Sequence, residues 1–346
     1  MIRFNCDYLE GAHPRILERL AATNMEQTVG YGCDEHSERV RELIKKVCEC
    51  PTAAVQFLVG GTQANFTVIS AALRPYQGVI AADTGHIACH ETGAVEACGY
   101  KVLTVPGDDG RVTAEAVDAY VREHWANESH EHVVQPKMVY ISMTTEIGTI
   151  YTKKDLAALY AVCRQHGLYL FLDGARLGYG LATPGSDLDL PFIAAHTDVF
   201  YIGGTKVGAL FGEAVVLVNP ALQPDFRYLI KQKGGMLAKG RLLGIQFETL
   251  FEDGLYFEIS RHALEMAGRL RQGLEALRIP FASSYVSNQQ FVRLDNAFCR
   301  ELRKTMDFDV IQPGETESIV RFCTSWATLP ENIDALLAEI QRLKNK

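Results

Sequence analysis

The spacing of apolar residues switches repeatedly between helical and strand rhythms from about residue 35 to about residue 250. Val40, Leu43, Ile44 and Val47 recur at helical spacing and predict a helix over 34–48. A short apolar run at 53–59 predicts a strand, after which Gly60-Gly61-Thr62 opens a helix through Ala72. Runs at 78–82, 101–105 and 137–143 are further predicted strands. Thr152 is placed as the N-cap of the next helix, with Asp155 as its capping-box partner and Gly167 as its stop. Residues 168–172 read as a strand ending at Asp173, and 198–202 as one ending before Gly203-Gly204-Thr205-Lys206. Apolar runs without strict alternation, separated by helices, imply an α/β fold with a mainly parallel sheet covered on both faces.

After Lys239 the rhythm changes. One long helical stretch is predicted to about Leu277, then strands at 288–294 and 318–324, and a last helix over 333–343 with Leu336, Leu337 and Ile340 on one face. The predicted organisation is an N-terminal arm (1–30) with no partner strand, a large α/β domain (31–250) and a smaller C-terminal α+β domain (251–346).

Composition narrows the function classes. The chain has 346 residues, 47% hydrophobic and 22% charged, with 34 basic against 42 acidic side chains, a net charge of −8. That balance opposes a nucleic-acid binder, which needs a basic face to neutralise phosphates. The apolar runs 168–172 and 214–218 have strand length, far short of a membrane span. Met1-Ile2-Arg3-Phe4-Asn5-Cys6-Asp7 carries a charge within three residues and no apolar secretion core. Nine scattered cysteines without a Cys-x-x-Cys point to reduced thiols and a cytoplasmic protein. His124, His130 and His132 read as a solvated loop. His86 and His90, four apart and followed by Glu91, lack a third ligand for a metal.

The chemistry-bearing residues stand at predicted strand ends. Neither Gly-x-Gly-x-x-Gly nor a P-loop occurs, so dinucleotide and P-loop nucleotide sites lose their main support. Gly60-Gly61-Thr62 between strand and helix is either a tight turn or a phosphate cradle, where glycines admit the anion to free N–H groups. Lys206 is either a solvated loop residue or an amine held in a pocket. It stands 33 residues after Asp173, one strand–helix–strand unit, which brings both to the same edge of the sheet. Pyridoxal 5'-phosphate needs an amine for a Schiff base, a carboxylate on its pyridine nitrogen, a phosphate cradle and a stacking ring. Lys206, Asp173 and Gly60-Gly61-Thr62 answer the first three; His86 or His90 is the candidate ring, and the Thr205 hydroxyl a candidate phosphate donor.

These motifs occur together with His86 through Gly93-Ala94, Leu172-Asp173-Gly174-Ala175-Arg176, Gly204-Thr205-Lys206 and Arg321-Phe322-Cys323-Thr324-Ser325. In that order the chain resembles the threonine aldolase branch of the β-eliminating lyases, pyridoxal-phosphate enzymes of the transferase-like fold type I. The resemblance implies cleavage of L-threonine or L-allo-threonine to glycine and acetaldehyde. It implies that Lys206 bears the cofactor, Asp173 holds its ring nitrogen, His86 stacks on it and assists proton transfer, and Gly61 and Thr62 hold its phosphate. Arg176 and Arg321 would grip the substrate carboxylate, with Cys6 beside it. A homodimer or homotetramer is implied, with the site at the subunit interface and Tyr31, Lys231 and Lys233 reaching into a shared site.

Two departures stand out. Cys6 precedes Asp7 where many relatives have serine, and a thiol donates only weak hydrogen bonds. Met143-Thr144-Thr145-Glu146 replaces a stretch that commonly holds histidine, so Glu146 or His86 would have to serve the β-hydroxyl. A phenylserine-type aldolase, another β-eliminating lyase, an aminotransferase and an inactive binding protein of the same fold remain open alternatives.

Overall fold

The computed structural model describes residues 1–285 and 287–345. The chain opens with a two-residue strand, β1 (Ile2–Arg3). Seven strands then build one sheet: β2 (Ala54–Leu58), β3 (Gln77–Ala82), β4 (Lys101–Val105), β5 (Gln135–Ser142), β6 (Tyr169–Asp173), β7 (Val199–Gly203) and β8 (Glu213–Leu217). Their order is β2-β8-β7-β6-β5-β3-β4, and β8 alone runs antiparallel to its neighbours. β7 and β8 are joined by a loop without a crossover helix, and such a link permits only an antiparallel pair. Every residue of β7 and β8 is buried, as expected of strands covered on both faces.

The capping signals act as read. Thr152 accepts the Asp155 N–H at 3.2 Å, Asp155 accepts the Thr152 N–H at 2.9 Å, and Gly167 ends the helix Lys153–His166 in the left-handed conformation, φ 64°. Asp34 caps the helix Glu35–Val47 through the Ser37 N–H at 2.9 Å.

Three expectations are corrected. The helical stretch after Lys239 is two helices, Arg241–Glu252 and Leu255–Ala276, because Gly254 turns left-handed at φ 71° between them. The first thirty residues do have a partner strand: β1 pairs in parallel with β10 (Met306–Asp307), and Pro14–Ala22 is a helix packed on Arg241–Glu252. Two residues are too few to show a strand period. His124 is not in a solvated loop but buried in the last turn of the helix Ala114–Ala126, edge-on to Trp125.

The C-terminal part holds a three-stranded antiparallel sheet in the order β11-β12-β9, where β9 is Gln289–Asp295, β11 Asp309–Gln312 and β12 Glu317–Cys323. The helix Leu255–Ala276 is shared between two cores. Tyr256, Ile259 and Ala263 pack with the large sheet's helices, whereas Met266, Leu270 and Leu274 pack with Val320, Phe322, Leu336 and Ile340. Among the described residues no helix is long and apolar enough to cross a membrane.

The capping box predicts its own test. Thr152→Ala removes the hydroxyl that accepts the Asp155 N–H and donates to the Asp155 carboxylate, and lowers stability by about 1 kcal/mol. Thermal unfolding should show a lower midpoint than the parent; an unchanged midpoint would refute the role of the cap.

Candidate active site

Parallel strands deliver their C-terminal ends to one edge of the sheet, and there a cavity of about 280 Å³ opens. β2 delivers Gly60-Gly61-Thr62, β3 His86, β5 Glu146, β6 Asp173 and β7 Lys206 to its walls. The helix Gly61–Ala72 begins there without a side-chain cap, so its first N–H groups lack intrahelical acceptors. Gln63 braces the turn: its Oε1 accepts the Val59 N–H at 3.0 Å, and its Nε2 donates to the Lys233 carbonyl at 3.2 Å. A Cβ at Gly61 would lie 3.1 Å from the Tyr201 hydroxyl oxygen, which keeps this position bare. Bare backbone, free N–H groups and a helix dipole together attract an anion.

Asp173 is buried and ionised. It accepts from the Tyr140 hydroxyl at 2.5 Å, Asn65 Nδ2 at 3.0 Å, the Ala175 N–H at 2.9 Å and the Tyr201 hydroxyl. Burial pushes its pKa up, but the charge of His86 and these donors outweigh that and hold it below the usual value. Asn65 Nδ2 also donates to Glu91 at 2.7 Å, and Glu91 meets His86 Nδ1 at 2.9 Å. Burial acts to lower the His86 pKa, yet the Glu91 hydrogen bond and the charges of Asp173 and Glu91 raise it overall.

Lys206 is buried in the same cavity. Burial and the Arg176 charge lower its pKa against the pull of Asp7, Asp173 and Glu213, so a neutral, nucleophilic amine is more accessible than in water. On the wall, Glu146 Oε1 accepts the His86 N–H at 3.0 Å and the Ser142 hydroxyl at 2.9 Å. Burial raises the pKa of Glu146.

The profile of the beta-eliminating lyase family matches residues 4–297. This chain belongs to the β-eliminating lyase family. It is 29% identical to a Pseudomonas low specificity L-threonine aldolase, over 98% of this chain and 97% of that one. It is 48% identical to the solved structure of Leishmania major threonine aldolase, covering 99% of each chain with a TM-score of 0.96. A Thermus thermophilus aspartate aminotransferase shares the fold, with a TM-score of 0.71 at 16% identity, over 99% of this chain and 91% of that one.

As a fold type I β-eliminating lyase, the protein uses pyridoxal phosphate, and its residues fit that cofactor. One cavity holds a buried amine, a carboxylate kept ionised and an uncapped helix start. His86 lines this cavity, whereas His90 is exposed with its ring 5.7 Å from that of His86.

Other candidates are placed differently. Arg176 binds Asp7 bidentately, Nε at 2.6 Å and Nη2 at 3.0 Å, and Asn288 adds a bond to Asp7 at 2.9 Å. Those contacts take two of the five N–H groups of this lyase's Arg176, leaving both on Nη1 and one on Nη2. Arg321 does not line the cavity. It donates to Gln289 at 2.9 Å, Asp309 at 2.6 Å and the Asn5 carbonyl at 3.2 Å, with Nε buried and unpartnered. Cys6 stands beside this cluster, its thiol pKa raised by burial.

The Thr205 hydroxyl and Glu213 Oε1 share a hydrogen bond at 2.8 Å, so the Thr205 proton is committed there whenever Glu213 is ionised. Tyr31 and Lys231 lie outside the cavity of their own chain; the Lys231 ammonium sits 5.0 Å from the Tyr31 ring centroid. Lys233 Nζ rests 3.2 Å from the Cys98 sulfur and 5.1 Å from the Phe66 ring centroid.

Sequence reasoning missed Tyr140, Tyr201, Glu91 and Glu213. The tyrosines were hidden because an aromatic inside an apolar strand looks like core. Their hydroxyls are identifiable only once the register sets them around Asp173.

Asp7→Ala should cost about 3–5 kcal/mol, because it leaves the buried Arg176 guanidinium without its partner. Urea unfolding of the two proteins reads this directly; a loss under about 1 kcal/mol, typical of an exposed pair, would refute it.

Proposed function

We propose that this protein is a pyridoxal-phosphate aldolase that cleaves L-threonine or L-allo-threonine to glycine and acetaldehyde. What supports this is one arrangement: amine, ring-nitrogen carboxylate and anion cradle share a cavity with two proton-handling groups, His86 and Glu146. The relatives named for threonine aldolase activity point the same way.

When bound, pyridoxal phosphate supplies an electron-poor ring that takes up the pair left on Cα when the Cα–Cβ bond breaks. Lys206 is the amine that bears it. Asp173, held ionised, would keep its ring nitrogen protonated. The N–H groups of Gly61 and Thr62 would hold its phosphate, and the His86 ring would stack on it. Arg176 receives the substrate carboxylate through the guanidinium N–H groups that Asp7 leaves over, with Cys6 alongside. Arg321, held outside the cavity by Gln289, Asp309 and the Asn5 carbonyl, reaches it only by exchanging one of those bonds for the carboxylate.

Glu146 is the base for the β-hydroxyl. Its pKa, raised by burial, increases its affinity for that proton, while Ser142 and the His86 N–H hold the carboxylate in place. Loss of the hydroxyl proton to Glu146 would let the Cα–Cβ bond break and the aldehyde leave, and that same proton, held on Glu146, would be the one returned to Cα.

The functional unit in this proposal is a cytoplasmic homodimer or homotetramer. Tyr31 is 47% exposed and presents its ring with Lys231 away from its own cavity, as a residue serving a second subunit would. All nine cysteines are free thiols, which suits a reducing compartment. Functionally the chain divides into the arm (1–30), the cofactor domain (31–250) and the small domain (251–346).

Incubation with each threonine isomer should release glycine and acetaldehyde in equal amounts. Formation of a keto acid without glycine would overturn the aldolase assignment. Glu146→Gln should lower kcat by about 100-fold or more. A variant with the parent's kcat would remove Glu146 from the mechanism.

A further inference from the structure

Glu213 is a buried carboxyl that the mechanism above does not use. It is the first residue of β8, and the register sets it opposite Leu58, the last residue of β2, and Gly203, the last of β7. It therefore stands at the root of the Gly60-Gly61-Thr62 turn, and it lines the same cavity. Its hydrogen-bond donors among the described residues are neutral: the Thr205 hydroxyl to Oε1 at 2.8 Å and the Gly204 N–H to Oε2 at 3.2 Å.

A carboxylate is the wrong charge for a corner that receives a phosphate. Two anions side by side repel, and among the described residues no side-chain cation is hydrogen-bonded to Glu213, Lys206 acting on it only through space. Hydrogen bonding conflicts as well. Thr205 has one hydroxyl proton and two lone pairs, and one lone pair already accepts the Gly212 N–H at 3.0 Å. With Glu213 ionised, the Thr205 proton is committed to it. With Glu213 protonated, the carboxyl donates to the second lone pair of Thr205, whose own proton is then free for the phosphate.

We propose that Glu213 is a proton-coupled positioning residue: it must carry a proton for the cofactor's phosphate to bind, and in doing so it hands the Thr205 hydroxyl to that phosphate. This rests on the placement of the phosphate at Gly61 and Thr62. The charged and titratable groups facing Glu213 are Lys206 and Asp173, with the phenols of Tyr201 and Tyr256. Burial, with Asp173 acting in the same direction, pushes the Glu213 carboxyl up to about 8 against the opposing effects of Thr205, Lys206 and Gly204. The proton is thus present at neutral pH and lost as the pH rises through that value.

The test is the dissociation constant of pyridoxal phosphate from the parent and from Glu213→Gln, by equilibrium dialysis from about pH 6.5 to about pH 9.5. Pyridoxal, which lacks the phosphate, is the control ligand. Binding that requires one proton weakens about tenfold per pH unit above the carboxyl's pKa. The parent should show that added slope for pyridoxal phosphate and not for pyridoxal. Glutamine imitates the protonated acid, since its amide donates to Thr205 and its oxygen accepts from Gly204, so the variant should lack the slope. The titration of Lys206, which Glu213 itself influences, is shared by the two ligands on each protein and cancels in the ligand comparison, so the role of Glu213 is read from the difference between ligands within the parent and within the variant.

Equal slopes in parent and variant, or equal slopes for the two ligands, would overturn the role of Glu213. Equal affinity for the two ligands at every pH would instead overturn the phosphate placement. If the glutamine variant does not fold, the two-ligand comparison on the parent decides alone.

Discussion

The buried carboxylate of Asp173 stays ionised at the foot of the cavity, and much of the site is arranged to permit it. An unpaired buried charge costs far more than a single hydrogen bond returns. Four donors from separate elements meet that cost: Tyr140 from β5, Tyr201 from β7, Asn65 from the helix Gly61–Ala72 and the N–H of Ala175 just past β6. The two phenols have pKa values raised well above the ordinary, so they remain donors. Through Asn65 the network runs on to Glu91 and His86, so the ring proposed to stack on the cofactor is tied to the carboxylate proposed to hold the cofactor's nitrogen.

The net charge of −8 suggests a positive pocket as the exception to an acidic surface. The structure shows something different. Asp7 is paired to Arg176, Asp309 to Arg321, and Glu213 acts electrostatically on Lys206. Anion attraction at the cradle therefore comes chiefly from backbone N–H groups at a helix start, whose partial charges need no counter-ion and lose no side-chain entropy on ordering. A carboxylate beside that cradle is tolerable if it is neutral, which is why the protonation of Glu213 matters there.

Asp7 also joins the parts of the chain mechanically. It belongs to the N-terminal arm, takes the fork of Arg176 from the large sheet and accepts Asn288 from the edge of the small sheet. The helix Leu255–Ala276 adds a second tie by burying one half in each core. With the arm, the large sheet and the small domain sharing one buried ion pair, the substrate end of the cavity and its small-domain wall are held in fixed relation.

Local signals in the sequence determined the strand and helix succession, the capping of Lys153–His166 and the positions of Lys206, Asp173 and Gly60-Gly61-Thr62 at strand ends. Those features depend on periodicity, on caps a few residues long and on the rule that parallel strands bring ligands to their C-terminal edge. Only the tertiary structure decided who partners whom. It placed Tyr140 and Tyr201 on Asp173, committed Arg176 to Asp7, turned the Thr205 hydroxyl toward Glu213, and left Tyr31 outside its own cavity. Hydrogen bonds and ion pairs of this kind join residues as far as 316 positions apart, and a charge's effect is set by burial and distance rather than by order along the chain.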